Sequence, residues 1–408
     1  VTSSAVVTSP QDLRRSNAAT VLRTVWDGAP FTASDVIATT GLTRSTVLGM
    51  CDELVQRGWI TELEDARSAG TYQKGRPARR YAFAAEAGYV VGVDAGWHRI
   101  AATVADLGGT PRGAAEASLG EADTDPALRR ETVLAVLDRA LTDAGVAREE
   151  VLAIVAGVPA PTDAAGTSPR GHEFWERMNP ALADALSEQA PIVEVENDAN
   201  LAAVAEGAVG GGTDLQSFGV LLSGERFGSG LIVDGKLLRG RSGGAGELRL
   251  LDLVTGVGGP EGLGYAAREM AHEAMANKTV PPGSALLRAG TAGPDAEHVF
   301  AAALNGDPLA TDIVAQLADR LARVCAVIAT MLDLERIIVA GAIAPAAEPV
   351  VAQATELLRE YTHPPHPTIT ASTLGADVVR TGALQRAVAL VRADPLGLPA
   401  RQTRQRRA

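Results

Sequence analysis

The stretch Gly41-Leu42-Thr43-Arg44-Ser45-Thr46-Val47-Leu48-Gly49-Met50-Cys51-Asp52-Glu53-Leu54 decides how this chain is read. Gly41 suits a turn in which a positive φ costs little. Thr43 is a good helix N-cap, and Val47, Met50 or Cys51, and Leu54 recur at helical spacing. Arg44, Ser45, Thr46, Leu48, Gly49 and Asp52 are then left to share the exposed side. Short donors and a guanidinium in the first turn are what a helix needs when its N-terminus approaches base edges and phosphates. Just upstream, Thr32 stands three residues before Asp35, a loose capping box, so a helix should begin there with Val36 and Ile37 facing a core. Leu13, Val21, Leu22, Val25 and Trp26 predict a first helix for the same core, with Arg14, Arg15 and Asn17 on its polar side.

After Gly58 the run Trp59-Ile60-Thr61-Glu62-Leu63 alternates like a strand. A polar segment with Gly70 and Gly75 then leads to Arg76-Pro77-Ala78-Arg79-Arg80-Tyr81 and a second short strand. Residues 10–85 therefore read as a winged helix-turn-helix for double-stranded DNA. The candidate contacts are Thr43, Arg44, Ser45 and Thr46 on the groove helix. On the wing they are Lys74, Gly75, Arg76, Arg79 and Arg80, where phosphate neutralisation wants cations. Gly75-Arg76-Pro77 resembles a short minor-groove insert, since a narrow A·T-rich groove attracts a guanidinium. The alternative is a three-helix interaction module that never touches DNA.

Composition supports a split chain. Its 408 residues, 46% hydrophobic and 21% charged, are those of a globular protein of more than one ordinary domain. The formal net charge is −12. The first 85 residues hold roughly ten Lys and Arg against roughly eight Asp and Glu, so an acidic body follows a slightly basic head. Such a body is repelled by phosphate, which suits a protein that touches DNA with its head alone. Two cysteines exclude a disulfide framework and a cysteine-rich metal site. No apolar run is long enough for a membrane span and no signal peptide is evident, so a cytoplasmic location is expected. Residues 396–408 read as a basic C-terminal tail.

From residue 88 the pattern changes to short apolar strands, glycine turns and helices. Gly88 to Gly96 is a buried strand ending in an acid-and-glycine turn, and Ile100 to Asp106 pairs with it as a hairpin. Val151 to Val158 and Pro191 to Glu196 are further strands, the latter entering Asn197-Asp198-Ala199-Asn200 and a helix. Phe218 to Leu222, Gly230 to Val233 and Lys236 to Leu238 surround a glycine-rich loop. A long helix from about Thr311 to Leu332 precedes a strand at Ile337 to Ala342. Two strand-rich lobes with a cleft between them suggest a duplicated α/β fold.

The winged helix, the Asp94-Ala95-Gly96 turn, Glu196-Asn197-Asp198-Ala199-Asn200, the glycine loop before Asp234-Gly235, and Gly243-Gly244-Ala245-Gly246-Glu247 occur in a telling order. It resembles that of transcriptional regulators of the ROK (repressor, open reading frame, kinase) family, from about Asp12 to Leu390. The resemblance implies an actin-like, sugar-kinase-type (ribonuclease H-like) two-lobed domain at 86–395. It also implies a homodimer or homotetramer and a sugar or sugar-phosphate effector.

The departures argue against an enzyme. Family kinases resemble D-x-G-G-T at the first phosphate turn, where this chain has Asp94-Ala95-Gly96-Trp97-His98. They resemble G-T-G-I-G-A-G at the second, where it has Gly224-Glu225-Arg226-Phe227-Gly228-Ser229-Gly230. A Trp beside one turn and a carboxylate in the other oppose phosphate, so no nucleotide cofactor is expected. Asp198 resembles the family's catalytic base but then has nothing to activate. Trp97 is expected to fill the old nucleotide cleft and fix the lobes. The family's zinc-binding His and thiols fall on Leu250, Gly256, Gly258 and Leu263, and its final carboxylate on Tyr265. Neither metal nor catalytic residue is assigned. Asn197, Asp198 and Glu247 remain as candidate ligand contacts, with Glu173, Trp175 and Asn179 as neighbours. Asn197 and Asp198 are equally suited to capping the helix they precede. A sugar kinase with an accessory DNA-binding head is the competing reading.

Overall fold

The computed structural model describes residues 9–63, 79–120, 123, 125–288 and 293–398. Lys74, Gly75, Arg76 and residues from 399 lie outside the described residues; the expected tail at 396–408 does not begin at 396, since Leu396 is buried in a turn at Pro395–Gly397.

In the head, α1 (Pro10–Val25) starts at Ser9, whose hydroxyl accepts from the Asp12 N–H. A two-residue strand β1 (Phe31–Thr32) runs into α2 (Ala33–Thr40). There the Asp35 carboxylate accepts from the Thr32 N–H at 2.7 Å and from its hydroxyl at 2.8 Å, which holds the acid below the usual carboxylate range. Gly41 ends α2 with φ 69°. Next, α3 (Arg44–Gln56) begins at Thr43, whose hydroxyl accepts from the Thr46 N–H at 3.3 Å. Strands β2 (Ile60–Leu63) and β3 (Arg80–Phe83) complete a sheet of order β1-β3-β2. Val21, Leu22, Trp26, Val36, Val47, Leu54, Trp59 and Tyr81 fill the core. Both Met50 and Cys51 are buried, and burial pushes the Cys51 thiol up to about 11. Leu13 does not join that core: it is 51% exposed, because burial along α1 begins only near Ala18.

Lobe I comprises β4 (Tyr89–Ala95), β5 (Arg99–Asp106), β6 (Pro111–Ser118), α4 (Pro126–Ala144), β7 (Val151–Val158), α5 (Glu173–Met178), α6 (Leu182–Leu186) and β8 (Ile192–Asn197). After α7 (Asp198–Val209), lobe II comprises β9 (Phe218–Ser223), β10 (Phe227–Val233), β11 (Lys236–Leu237), α8 (Leu263–Ala276), α9 (Ala296–Leu304), α10 (Pro308–Leu332), β12 (Arg336–Ala340), α11 (Glu348–Tyr361) and β13 (Thr368–Ala371). The chain then returns through α12 (Val378–Ala393). The sheet orders are β6-β5-β4-β7-β8 and β11-β10-β9-β12-β13. In each, an antiparallel meander of three strands is extended by two parallel strands. The two lobes are the same fold repeated.

Two helices fill the space between the sheets. α7 lies on β9 and β10 of lobe II, α12 on β4 and β7 of lobe I, and they pack on each other. The crossing is close: a methyl group at Gly382 would lie 1.8 Å from the Leu201 carbonyl oxygen. The head docks on lobe I, where the buried Trp26 Nε1–H donates to the Leu107 carbonyl at 3.1 Å. At the end of α12, Arg392 pairs with Asp27, and Asp394 with Arg15 at 2.9 Å. Among the described residues no helix is long and apolar enough to cross a membrane.

Candidate functional site

The first site is the exposed end of α3. Thr43, Arg44 and Ser45 are exposed and Thr46 is half-buried. The Thr43 hydroxyl lies 3.1 Å from that of Ser45 and 2.9 Å from that of Thr46, a cluster of short donors around the first turn. Arg44 makes no hydrogen bond or ion pair with any described residue. Arg80 is likewise exposed and bonds through its side chain to no described residue. Arg79 is not: it donates to Glu62 at 2.7 Å and to Asp52 at 2.8 Å, and lies over the Tyr81 ring. Its charge is shared with two carboxylates, and its evident work is to tie the wing strand to α3. The remaining wing residues Lys74, Gly75 and Arg76 are outside the described residues.

The second site is the cleft, where strand ends from both lobes meet. Asp94 closes β4, Asp198 opens α7, and Glu247 follows the glycine run after β11. Asp198 is surrounded by protein: burial, then the neighbouring Asp94 carboxylate, pushes it up to about 8. Burial pushes Asp94 up to about 6, against the opposing pull of Arg99, Arg380 and Arg129. Glu247 is exposed by surface area at the cleft mouth, yet protein around its carboxyl raises it, with Arg226 opposing. Three acids thus face one space with few donors. Asp198 accepts one backbone bond, from Ala199 at 2.7 Å, and keeps the rest of its carboxyl for the cleft.

Asn197 behaves otherwise. Its Oδ1 accepts from the Asn200 N–H at 3.1 Å and its Nδ2 donates to the Ala160 carbonyl at 3.2 Å, so it serves as the α7 cap. Asn179 is buried and donates to the Gly166 carbonyl and Ser168, Glu173 is exposed, and Trp175 stacks on His172. Trp97 does not bridge the lobes as expected. Its ring stacks on His98, meets the edge of Phe174 at 5.2 Å and lies under Arg177, all in lobe I.

The second glycine turn is engaged by the chain itself. The Phe227 N–H donates to the Pro260 carbonyl at 2.6 Å, the Gly262 N–H to the Glu225 carbonyl at 3.0 Å, and the Leu263 N–H to the Ser223 hydroxyl at 2.9 Å. Arg226 and Glu261 form an isolated β-bridge, and Glu225 pairs with Arg268 at 3.5 Å. A phosphate at this turn would have to displace the segment 260–263. That segment is held from beneath by Arg320 on α10, a residue sequence reasoning did not single out. Its nearly buried guanidinium donates to the carbonyls of Val257 at 2.8 Å, Gly259 at 2.7 Å and Glu261 at 2.6 Å. One cation gathers three carbonyls, as a structural metal gathers ligands. Gly256 and Gly258 each take φ 84°, which makes the tight path possible. Among the described residues no group of three or more His, Cys, Asp or Glu could hold a metal ion.

A helix-turn-helix head on a two-lobed, actin-like body of sugar-kinase type defines a class in which a DNA-reading module is joined to a former or working sugar site. The chain belongs to the ROK family, whose signature covers residues 90–392, and the IclR helix-turn-helix domain signature covers residues 16–64. The crystal structure of a ROK family transcriptional regulator, a homologue of the E. coli MLC protein, is similar in fold: TM-score 0.73 at 20% identity, covering 94% of this chain and 99% of that one. The bifunctional enzyme NanE/NanK of Brucella suis is 33% identical over 218 residues, 50% of this chain and 38% of that protein. The xylose repressor of Caldicellulosiruptor bescii is 24% identical over 239 residues, 58% of each chain. The chain therefore spans less than two thirds of these curated relatives.

Proposed function

We propose that this chain is a DNA-binding transcriptional regulator, a repressor working in the cytoplasm. In this reading its actin-like body senses an effector and joins copies into a homodimer or homotetramer, and performs no catalysis. The observation that carries the reading is the free end of α3. A groove-sized helix presents an exposed Arg44, bonded to no described residue, and three hydroxyls on an otherwise acidic protein. The body supports it from the other side, since the turn at Glu225–Phe227 is packed against the segment 260–263, with the Phe227 N–H already donating to the Pro260 carbonyl and a carboxylate, Glu225, where a phosphate would lie. A sugar or sugar phosphate in the cleft would meet Glu247 as a hydroxyl acceptor and Asp198, still protonated near neutral pH, as donor and acceptor, with Asn197 contributing only through the helix it caps. Closure of the cleft would change the spacing of paired heads on a palindromic site.

One observation favours the kinase reading: Asp198 sits at the cleft with its proton affinity raised to about 8, within reach of what a general base needs near neutral pH. A coupled assay of ATP consumption across a hexose panel separates the readings. The regulator reading expects no turnover above background, and turnover abolished by Asp198→Asn would establish the kinase. A mobility-shift assay with duplexes from beside the chain's own coding region tests the head directly, and in Arg44→Ala the expected shift needs about tenfold more protein.

A further inference from the structure

We propose that the head and lobe I move as one rigid body, and that the α7–α12 crossing, spanned by Arg239 on Glu194 and Glu196, is the shear joint that couples the cleft to the head. The proposal rests on the reading of this chain as a ligand-sensing regulator, and specifies how the cleft reaches the DNA-binding end. The two interlobe helices have different allegiances. α12 runs along β4 and β7, so close that a methyl group at Gly92 would fall 2.8 Å from the Arg380 carbonyl oxygen, while one at Gly157 would meet both Val379 of α12 at 2.6 Å and Leu201 of α7 at 2.9 Å. The contacts of α12 with lobe I have no slack. α7, which starts with Asp198, lies on lobe II as tightly, a methyl at Gly230 falling 2.1 Å from the Ala199 carbonyl oxygen. Relative motion of the lobes must therefore slide α7 along α12 where Gly382 meets Leu201.

The head belongs to the α12 side of that joint. Trp26 is buried against lobe I and bonded to the Leu107 carbonyl, Asp27 pairs with Arg392, and Arg15 pairs with Asp394. The buried core that joins head and α12 residues runs on through Leu201 of α7 to Phe218 and Ile338 of lobe II, so it is the Trp26, Asp27 and Arg15 contacts that tie the head to the α12 side. A 16-residue helix is about 24 Å long, so α12 reaches from Asp377 and Arg380, which bear on Asp94, to the underside of α1.

Across the joint runs one ionic relay. Arg239, just past β11 of lobe II, donates to Glu196 at 2.6 Å and lies 3.9 Å from Glu194. Glu196 also accepts from the Asn197 N–H and the Asn200 side chain, both at 2.9 Å, so the same carboxylate fixes the start of α7 where Asp198 stands. Glu194, two residues away and thus on the same face of β8, receives both arms of Arg386 on α12 at 2.7 Å each. Lobe II, the cleft end of α7 and α12 meet at these two carboxylates. Altering the Arg239 contact changes how lobe II sits on the unit formed by lobe I and the head.

The test is pulsed electron spin resonance on the full-length chain, with labelled chains diluted into unlabelled ones. Labels go on the exposed positions Ala38→Cys (head), Ala135→Cys (lobe I) and Ala301→Cys (lobe II), leaving the buried Cys51 and Cys325 in place. A narrow head-to-lobe I distance, unchanged by Arg239→Gln, is expected, together with a head-to-lobe II distance that broadens or shifts by about 2 Å or more in that variant. Gly382→Ala should produce the same pattern, and Arg239→Gln keeps the test decisive if Gly382→Ala fails to fold. Arg392→Ala with Asp27→Ala should broaden both distances measured from the head while leaving the lobe I-to-lobe II distance as it was. A broad head-to-lobe I distance in the unaltered chain overturns the rigid unit, and a head-to-lobe II distance indifferent to Arg239→Gln overturns the relay. If the distances behave as stated while no duplex is bound in a mobility-shift assay, the regulator reading falls and the joint stands.

Discussion

Replacing Asp198 by Asn should stabilise the protein, and more so as pH rises. In the fold the carboxyl is raised from 3.8 to about 8, by burial first and the Asp94 carboxylate second. Between those values the folded state holds a proton that the unfolded chain releases. Stability therefore falls as pH rises from about 4 to about 8, then levels off. At about 1.4 kcal/mol for each tenfold change in proton affinity, the ceiling is about 6 kcal/mol. Water reaching the cleft reduces that to about 2 kcal/mol at pH 8. Asn removes the charge and keeps an oxygen for the Ala199 N–H. For a lobe of this size the gain corresponds to roughly 5 °C in melting temperature. Thermal denaturation of both proteins at pH 5.5 and pH 8.5 should show the variant melting higher, with the gap widening at the higher pH. A variant that melts lower, or a gap that does not depend on pH, would refute the assignment of Asp198 as a desolvated acid.

Arg44→Ala should leave the melting temperature unchanged, because Arg44 touches no described residue, and weaken duplex binding about tenfold in fluorescence anisotropy; equal affinity would remove α3 from the groove. Arg320→Met should cost about 3 kcal/mol by stranding three buried carbonyls, with faster amide exchange over residues 256–263; an unchanged exchange pattern there would show that the guanidinium does not hold the segment. Because that clamp needs no metal, a chelator should leave the melting temperature where it is, and a drop on chelation would reveal an ion the clamp does not replace.

The head was largely legible because a small three-helix core imposes strict spacing: Val47, Met50, Cys51 and Leu54 all turn inward as their periodicity requires. Likewise β7 occupies Val151–Val158 as its continuous apolar run predicts, since a strand covered on both faces has no polar alternation to blur it. By contrast β6 (Pro111–Ser118) was not read, being an edge strand of small and charged residues without an apolar run. In the cleft, residue type pointed to Asp198 and Glu247, but types alone do not separate a ligand contact from a cap, and geometry gives Asn197 to the cap. Arg79 was read as a phosphate contact because its charge is visible in sequence and its partners Asp52 and Glu62 are not. Arg320 and the Arg239 relay join residues far apart in the chain, and no local pattern announces them.

Nuclease footprinting of the full-length chain on DNA flanking its own coding region is the measurement that bears most directly on the account. Protection of a two-fold symmetric site, with half-sites a whole number of helical turns apart (about 10 base pairs each) and needing about tenfold more protein in Arg44→Ala, is the predicted result. The absence of any protected site at moderate salt, with the protein folded and Arg44 intact, would contradict it.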